Sequence, residues 1–329
     1  KIWSIATTMA SAQPAPEIRI GLVAYRDRGD AYVTRVVDLS SDLDSMYATL
    51  MDFQADGGGD TPESVNQALY DAVHSMSWSG NDDSYKVVFL VGDAPPHMDY
   101  QDEVKYMQTL VAAEVKGIVV NTVQCGEIGA TVAPWQQIAA LGHGRYFQVD
   151  QAGGALAMTT PYDAALARLS AELDATRIFY GDAEEKEKMK RKAEATDKLH
   201  ALSSIESRAR RATFNASVAG KLNVFGENEL VDAVVSGRVD LSEVDADELP
   251  APMQAMAPQE RNDLIAKTAL KRNELERQIK DVAAKRDNFI DEQVELAGGA
   301  EESLDYKIYD AVREQAAKKG LRYEGGPSY

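Results

Sequence analysis

The chain has 329 residues, of which 44% are hydrophobic and 7% aromatic, so it is long enough for two domains and too apolar for an intrinsically disordered protein. Its formal net charge of −18 argues against nonspecific nucleic-acid binding, which depends on an excess of lysine and arginine that neutralises phosphates. The single cysteine, Cys125, excludes an internal disulfide framework and a cysteine-rich zinc site, and it is compatible with a bacterial envelope or secreted location, which we favour, and with the cytoplasm. No run of about 18 apolar residues occurs, so no membrane span is predicted.

Hydrophobic periodicity predicts alternating helices and strands over 1–180. A short turn separates the first two strands and predicts an antiparallel hairpin, whereas the later strands alternate with helices, which predicts parallel pairing. We therefore expect an α/β domain with a mainly parallel, doubly wound sheet and helices on both faces. In chain order, the predicted elements are a helix over 1–12, strands over 18–26 and 31–39, a helix over 41–53, a helix after Pro62, a strand over 86–93, a helix over 102–116, a strand over 117–124, a helix over 131–141, a strand over 145–149 and a helix over 161–179.

Two stretches carry acidic residues to positions where ligands bind in such a fold. Gly57–Leu69, GGGDTPESVNQAL, is predicted to be a glycine-rich turn that opens into a helix, and we expect Pro62 in the first helical turn, where its missing N–H costs nothing. Val87–Asp93, VVFLVGD, is an apolar strand whose carboxyl end carries Asp93. Ligands of open α/β sheets bind at the carboxyl ends of the strands, so two acidic loops that meet there would form a pocket for a hard divalent cation.

These stretches resemble the metal-site loops of von Willebrand factor A domains of bacterial type. GGGDTPESV is similar to the Asp-x-Pro-Glu loop in the A-like domains of β-integrins, and VVFLVGD is similar to the strand that ends in the family's last metal-site aspartate. The resemblance implies that Glu63 and Asp93 are metal ligands and that Asp60 and the Pro62 carbonyl lie near a neighbouring ion. Thr61 is the competing ligand, because most other A domains use a threonine in this loop. The implied cation is Mg²⁺, with Ca²⁺ or Mn²⁺ as alternatives.

The resemblance also implies a function. In this family the ion keeps one coordination position open for a carboxylate of a partner, so we expect a metal-ion-dependent protein-binding module for adhesion or assembly, not an enzyme. Its partner would be a protein with an exposed carboxylate. Two alternatives stay open: a Mg²⁺-dependent hydrolytic enzyme that uses the acidic pocket, and a structural scaffold that uses the helical region. Binding is favoured because no Ser–His–Asp order, HExxH motif or phosphate-binding loop occurs.

The sequence departs from the family at its beginning. The family's first metal-site loop, an Asp-x-Ser/Thr-x-Ser pattern, would precede the first helix, but Lys1–Ile2–Trp3 already resembles the interior of that helix. We therefore expect the native protein to carry that loop, and the strand before it, ahead of Lys1. His97 and Asp99 follow Asp93 in the string DAPPHMD, and they either border the pocket or lie in a solvated loop, which is the more usual state of such residues.

The second half, 181–329, predicts a helical extension. Its narrow apolar seams predict an antiparallel coiled-coil hairpin or a partner-facing arm through which the chain self-associates. The basic clusters at 186–192 and 208–211 are interpreted as solvated helix surface. The predicted elements are long helices over 182–215 and 258–296, a stop at Gly298–Gly299, and a final helix over 304–319.

Overall fold

The structure is a computed structural model that describes residues 2–57, 60–151, 158–296, 303–323 and 325–327. Residues 58–59 of the glycine-rich turn and the predicted stop at Gly298–Gly299 lie outside these ranges. The helices are α1 (Ile2–Ala10), α2 (Leu43–Leu50), α3 (Val65–His74), α4 (Tyr106–Val115), α5 (Gly129–Leu141), α6 (Asp163–Asp174), α7 (Ala183–Leu202), α8 (Ile205–Asn215), α9 (Lys221–Phe225), α10 (Leu230–Val235), α11 (Ala251–Gln254), α12 (Pro258–Leu296) and α13 (Leu304–Ala317). The strands are β1 (Ile20–Tyr25), β2 (Thr34–Ser40), β3 (Lys86–Gly92), β4 (Ile118–Cys125) and β5 (His143–Val149). None of the described helices combines the length and the apolar character needed to cross a membrane.

A small parallel sheet lies at the centre of the α/β part. Its order is β3–β4–β5, with Val88 of β3 opposite Val120 of β4. β1 and β2 pair antiparallel, as the short turn between them predicts, but they form a separate sheet. The prediction of one doubly wound sheet is therefore correct only for its parallel part, because no hydrogen-bonded ladder joins β1 to β3 in the described ranges. The Tyr25 hydroxyl links the two sheets instead, donating to the Val91 carbonyl over 3.1 Å.

Helices cover both faces of the parallel sheet, as predicted. Because successive side chains of a strand point to opposite faces, Leu90 and Val120 pack on one face with Trp135 of α5 and with apolar residues of α3 and α4. Val123 packs on the other face against Ala311 of α13. The second face is thus covered by a helix from the C-terminal region.

A pair of buried amides holds α13 on the sheet. Asn121 Nδ2 of β4 donates to Gln315 Oε1 over 3.1 Å, and Gln315 Nε2 donates to Asn121 Oδ1 over 2.8 Å. The hydroxyl of Tyr85 donates to the same Gln315 oxygen over 2.8 Å. Because buried amides are costly unless they are hydrogen-bonded, this pairing selects one position of α13 along β4.

The helical region differs from the predicted coiled-coil hairpin. The helix predicted over 182–215 breaks into α7 and α8 at Ser203–Ser204, because the Ser204 hydroxyl caps the second helix by accepting a hydrogen bond from the Ser207 amide over 3.2 Å. α12 is the long helix expected over 258–296, but it packs against α6, α8 and α10, and among the described helices no second long helix runs alongside it as the hairpin requires. Its apolar seam is therefore filled by shorter helices.

Helices of the C-terminal region also pack on the α/β part. α7 lies on α2, and α8 lies on α1 and α6. One hydrophobic cluster joins Trp3, Leu43 and Met46 to Leu199 and Phe214. The two predicted regions therefore share a core, and the boundary near residue 180 stays a prediction.

Candidate metal centre

The glycine-rich turn and the loop after β3 lie side by side. The Glu63 amide donates to the Pro95 carbonyl over 2.9 Å, and the His97 amide donates to the Glu63 carbonyl over 3.1 Å, which forms a single parallel bridge. Asn66 of α3 extends this contact, since its Nδ2 donates to the His97 carbonyl over 2.5 Å and to Glu103 Oε2 over 3.2 Å. These bonds fix the backbone of His97 beside the beginning of α3.

Three side chains from three loops converge at this junction. Asp27 follows β1, Asp60 precedes α3 and His97 follows β3, and each offers a ligand atom within 4.8 Å of the other two. His97 Nε2 lies 3.3 Å from Asp27 Oδ2 and 3.6 Å from Asp60 Oδ1. The side chain of His97 is 2% exposed and that of Asp60 is 65% exposed. The group therefore has a buried nitrogen at its base and a solvent-accessible carboxylate at its mouth.

The imidazole of His97 is held in one orientation. Its ring stacks on Tyr100 with the centroids 4.0 Å apart, and its Nδ1 lies 2.7 Å from Asp99 Oδ1. Its Nε2 forms no hydrogen bond in the described part of the chain. Burial lowers the pKa of His97, but the hydrogen bond to Asp99 and the charges of Asp27, Asp99 and Asp60 outweigh burial and raise this pKa overall.

Two hydroxyls orient the carboxylate of Asp27. Ser64 Oγ donates to Asp27 Oδ1 over 3.0 Å, and Tyr100 Oη donates to Asp27 Oδ2 over 2.9 Å. Burial raises the pKa of Asp27, but the backbone hydrogen bond from Arg28 and the two hydroxyl bonds outweigh it and lower this pKa. Burial and the bond to Asp27 raise the pKa of Tyr100 to about 12. Asp27 therefore presents a negatively charged oxygen to the group at neutral pH.

Of the ligands that the motifs predict, Asp60 belongs to this group. Glu63 lies outside the group; the residue is half-buried, and its buried Oε2 has no hydrogen bond in the described ranges. Burial raises the pKa of the Glu63 carboxyl, and the charges of Asp27, Asp30 and Asp93 raise it further. Glu63 therefore adds a further carboxyl to an already acidic neighbourhood. This carboxyl holds its proton more tightly than a free glutamate does.

Asp93, the other predicted ligand, also lies outside the group of three. Its Oδ2 accepts a hydrogen bond from Gln151 Nε2 over 2.8 Å, and its carbonyl accepts one from the Thr131 hydroxyl over 2.7 Å. Thr61 is exposed and Pro62 is half-buried. Ligation of one ion by Glu63 and Asp93 stays a prediction, as do the roles of Thr61 and Pro62.

Neither Asp27 nor His97 is among the ligands that the motifs predict. Asp27 lies in a turn without a motif, although its place directly after a strand is the kind of signal that singles out Asp93. The solvated-loop interpretation is wrong for His97, which is stacked on Tyr100 and buried. Asp99 has a side chain that is 73% exposed, but it borders the group through its contact with His97 Nδ1 at 2.7 Å.

Comparison with known proteins adds one likeness. No protein-family model matches the chain, and no curated protein matches it. The chain is similar to the crystal structure of the SpRpn10 VWA domain, with 12% identity and a TM-score of 0.35, over 46% of this chain and 73% of that chain. A superposition with this TM-score carries no argument about the site.

Proposed function

We propose that the chain is a metal-ion-dependent protein-binding module. A divalent cation would be held by Asp27, Asp60 and His97, and a carboxylate of a partner protein would complete its coordination shell. The observation that carries the proposal is the convergence of these side chains, from three separate loops, to within 4.8 Å of one another. Two carboxylates supply negative charge for a cation, and three protein ligands leave at least one position for a ligand from outside.

The surroundings of the group support access by a partner. Asp60 and Asp99 have side chains that are 65% and 73% exposed, so the mouth of the site faces solvent. Glu63 and Asp93 lie on the neighbouring loops, where they would strengthen the attraction for a cation and, with Thr61, offer oxygens for a second ion. A bound divalent cation would neutralise the two ligand carboxylates and offer an open coordination position, so that a carboxylate of the partner could bind the ion directly.

Thermal unfolding with and without divalent cations tests this function. We expect MgCl₂, MnCl₂, CaCl₂ or ZnCl₂ to raise the Tm of the full chain, and Asp60→Asn to remove this rise. Asp102→Asn is the matched control, because Asp102 is an exposed carboxylate nearby that pairs with Arg28 at 2.9 Å and lies outside the group. An immobilised glutamate-rich peptide should then retain the protein only with the cation present. Retention that survives a chelator would contradict the proposal.

A second candidate function is metal-assisted hydrolysis. The observation that favours it is the raised pKa of the half-buried Glu63 carboxyl close to Asp27, since a carboxylate of raised basicity beside a metal ion can act as a general base. Turnover of phosphoester and peptide substrates by the metal-loaded protein, lost in Glu63→Gln with metal affinity retained, would establish this function. If the metal-loaded protein turns over none of these substrates, the hydrolytic function is rejected and the binding function is retained.

A further inference from the structure

His97 is the unusual member of the group. Its side chain is 2% exposed, and its Nε2 is directed at Asp27 and Asp60 without forming a hydrogen bond in the described ranges. A buried nitrogen that makes no hydrogen bond is costly to keep out of water. The fold nevertheless holds this nitrogen in place through the stack on Tyr100, so an additional ligand between the nitrogen and the two carboxylates would recover that cost.

The donor set is not the one that Mg²⁺ or Ca²⁺ prefers. Those ions take oxygen ligands almost exclusively, and a single imidazole nitrogen at the base of the site is a poor substitute for an oxygen. Nitrogen combined with carboxylate oxygen suits zinc and its neighbours among the transition metals.

The spacing of the donor atoms also favours a zinc-class ion over Mg²⁺. A tetrahedral ion with ligand bonds of about 2.0–2.1 Å places its ligand atoms about 3.3–3.4 Å apart, whereas octahedral Mg²⁺ with similar bonds requires about 2.9 Å. The distances from His97 Nε2 to the oxygens of Asp27 and Asp60 are 3.3 and 3.6 Å. They fit the tetrahedral ion better.

We infer that the cation of this site is a zinc-class transition-metal ion bound by His97 Nε2, Asp27 and Asp60, and that Asp99 positions the imidazole. What the ion is for follows from the proposed function, on which the inference rests in this respect. Which ion it is follows from the ligands alone. Three protein ligands leave the fourth tetrahedral position open, and a carboxylate of the partner would occupy it.

Asp99 has a defined part in this arrangement. Its Oδ1 lies 2.7 Å from His97 Nδ1, and a hydrogen bond there keeps a proton on Nδ1 and directs the Nε2 lone pair into the site. Asp27 is positioned in a similar way by the hydroxyls of Ser64 and Tyr100. Two of the three ligands are therefore fixed, and the exposed Asp60 is free to adjust its distance to the ion.

Calorimetric titration of the full chain with ZnCl₂ and with MgCl₂ tests the inference. We expect saturable Zn²⁺ binding with no comparable Mg²⁺ signal, and its loss in Asp60→Asn, an exposed change that leaves the fold intact. His97→Ala should lose it too. Asp99→Asn should raise the Kd for Zn²⁺ by about 10–100-fold while leaving the Tm of the metal-free protein unchanged, which a merely structural role would not produce. In the Co²⁺-loaded protein, the intense visible absorption of tetrahedral cobalt should appear.

His143→Asn controls for adventitious binding. His143 is an exposed histidine 3.2 Å from Glu114, so it is a surface histidine–carboxylate pair, and asparagine tolerates its positive φ of 53°. Its Kd for Zn²⁺ should equal that of the wild type.

Several outcomes would overturn the inference: Mg²⁺ binding as tight as Zn²⁺ binding, a Kd for Zn²⁺ unchanged in Asp60→Asn, or no saturable Zn²⁺ binding. The last would mean that a proton on Nε2, paired with Asp27, occupies the site. The two proposals fail separately. Capture of the glutamate-rich peptide with Mg²⁺ alone would reject the zinc-class ion but keep the binding function. Tight Zn²⁺ binding without peptide capture would keep the zinc-class ion but reject the binding function.

Discussion

Among the residues, several charged side chains are buried in pairs. Arg211 is fully buried, with its Nε donating to Asp44 Oδ1 over 2.6 Å and its Nη1 donating to Asp174 Oδ2 over 2.7 Å. Burial lowers the pKa of Arg211, but the charges of Asp174 and Asp44 outweigh burial and raise it. None of these three charges is tolerable in the interior without the others.

Arg211→Ala should therefore destabilise the protein strongly. It removes the guanidinium that pairs with both Asp44 and Asp174, and the remaining contacts of Asp174 with Arg177 at 3.6 Å and His200 at 2.8 Å replace it only in part. We therefore expect the free energy of unfolding to fall by about 3–5 kcal/mol in urea titrations at neutral pH. Arg277→Ala is the matched control, since Arg277 also contacts two carboxylates but lies in solvent. Water screens that contact, so its urea midpoint should barely move. Similar losses in the two variants would contradict the role given to burial.

Residues with a local motif could be predicted, and residues defined by distant partners could not. Asp60 was identifiable because its neighbours spell a recognisable loop. The interpretation of the basic clusters as solvated surface is wrong for Arg211 and for Lys192, which is 2% exposed. Their partners Asp44 and Asp42 lie 167 and 150 residues away, and local charge pattern carries no information about such partners.

Among the elements, β5 approaches the backbone of its neighbour β4 closely at Gly144. A Cβ added to Gly144 would lie 2.1 Å from the carbonyl oxygen of Val120 and 2.9 Å from the amide nitrogen of Asn121. These backbone atoms belong to β4, where the register with β5 shifts between Val120 and Thr122. Glycine is needed where a bulged strand brings two backbones this close.

Gly144→Ala should therefore separate β5 from β4. We expect a loss of about 1–3 kcal/mol in the free energy of unfolding, because the clash is with backbone and cannot be relieved by a side-chain rotation. Gly129→Ala, at the first residue of α5, meets nothing within 4 Å and should be neutral or stabilising by up to about 1 kcal/mol. Urea unfolding of both variants measures the difference, and an unaffected Gly144→Ala protein would disprove the close approach.

Helices and strands could be predicted where the local repeat of hydrophobic residues defines them. The strand predicted over 86–93 is observed as Lys86–Gly92, and the one predicted over 117–124 as Ile118–Cys125. The break at Ser203–Ser204 had a signal, since serine is a common helix cap. The sequence carries no signal for the helices that pack on α12. A seam of leucine and isoleucine shows that this helix is covered, but not which helix covers it.

In the whole molecule, the buried charges join the α/β part to the helices. Asp44 lies in α2, Asp174 in α6 and Arg211 in α8, so one network links three packed helices. The Asn121–Gln315 amide pair ties α13 to the sheet in the same way. The boundary predicted near residue 180 follows a real change in composition, but composition could not reveal that the two sides share a core.

Acid should weaken this junction. Burial raises the pKa of Asp174 and Asp44, but the charge of Arg211 outweighs burial and lowers both. A carboxyl with a lowered folded pKa stabilises the protein above its unfolded value, near 3.8, and loses that stabilisation as the pH falls through the folded pKa. Urea unfolding from about pH 5 downward should show a steeper loss in the wild type than in Asp174→Asn. If the unfolding free energies of the wild type and of Asp174→Asn fall in parallel with pH, the Asp174–Arg211 pair does not contribute as expected.

The position of α13 has a consequence for how the protein is made. The strands of the parallel sheet are complete at Val149, but the helix that covers their second face begins only at Leu304. A ribosome must add roughly 150 residues in between, which takes roughly 8–30 s at about 5–20 residues per second, so the nascent chain carries an uncovered apolar surface during that time. During that interval Val123 and Phe147 lack the helix that buries them, and we expect slower translation across the helical region to lengthen their exposure to chaperones and to other nascent chains.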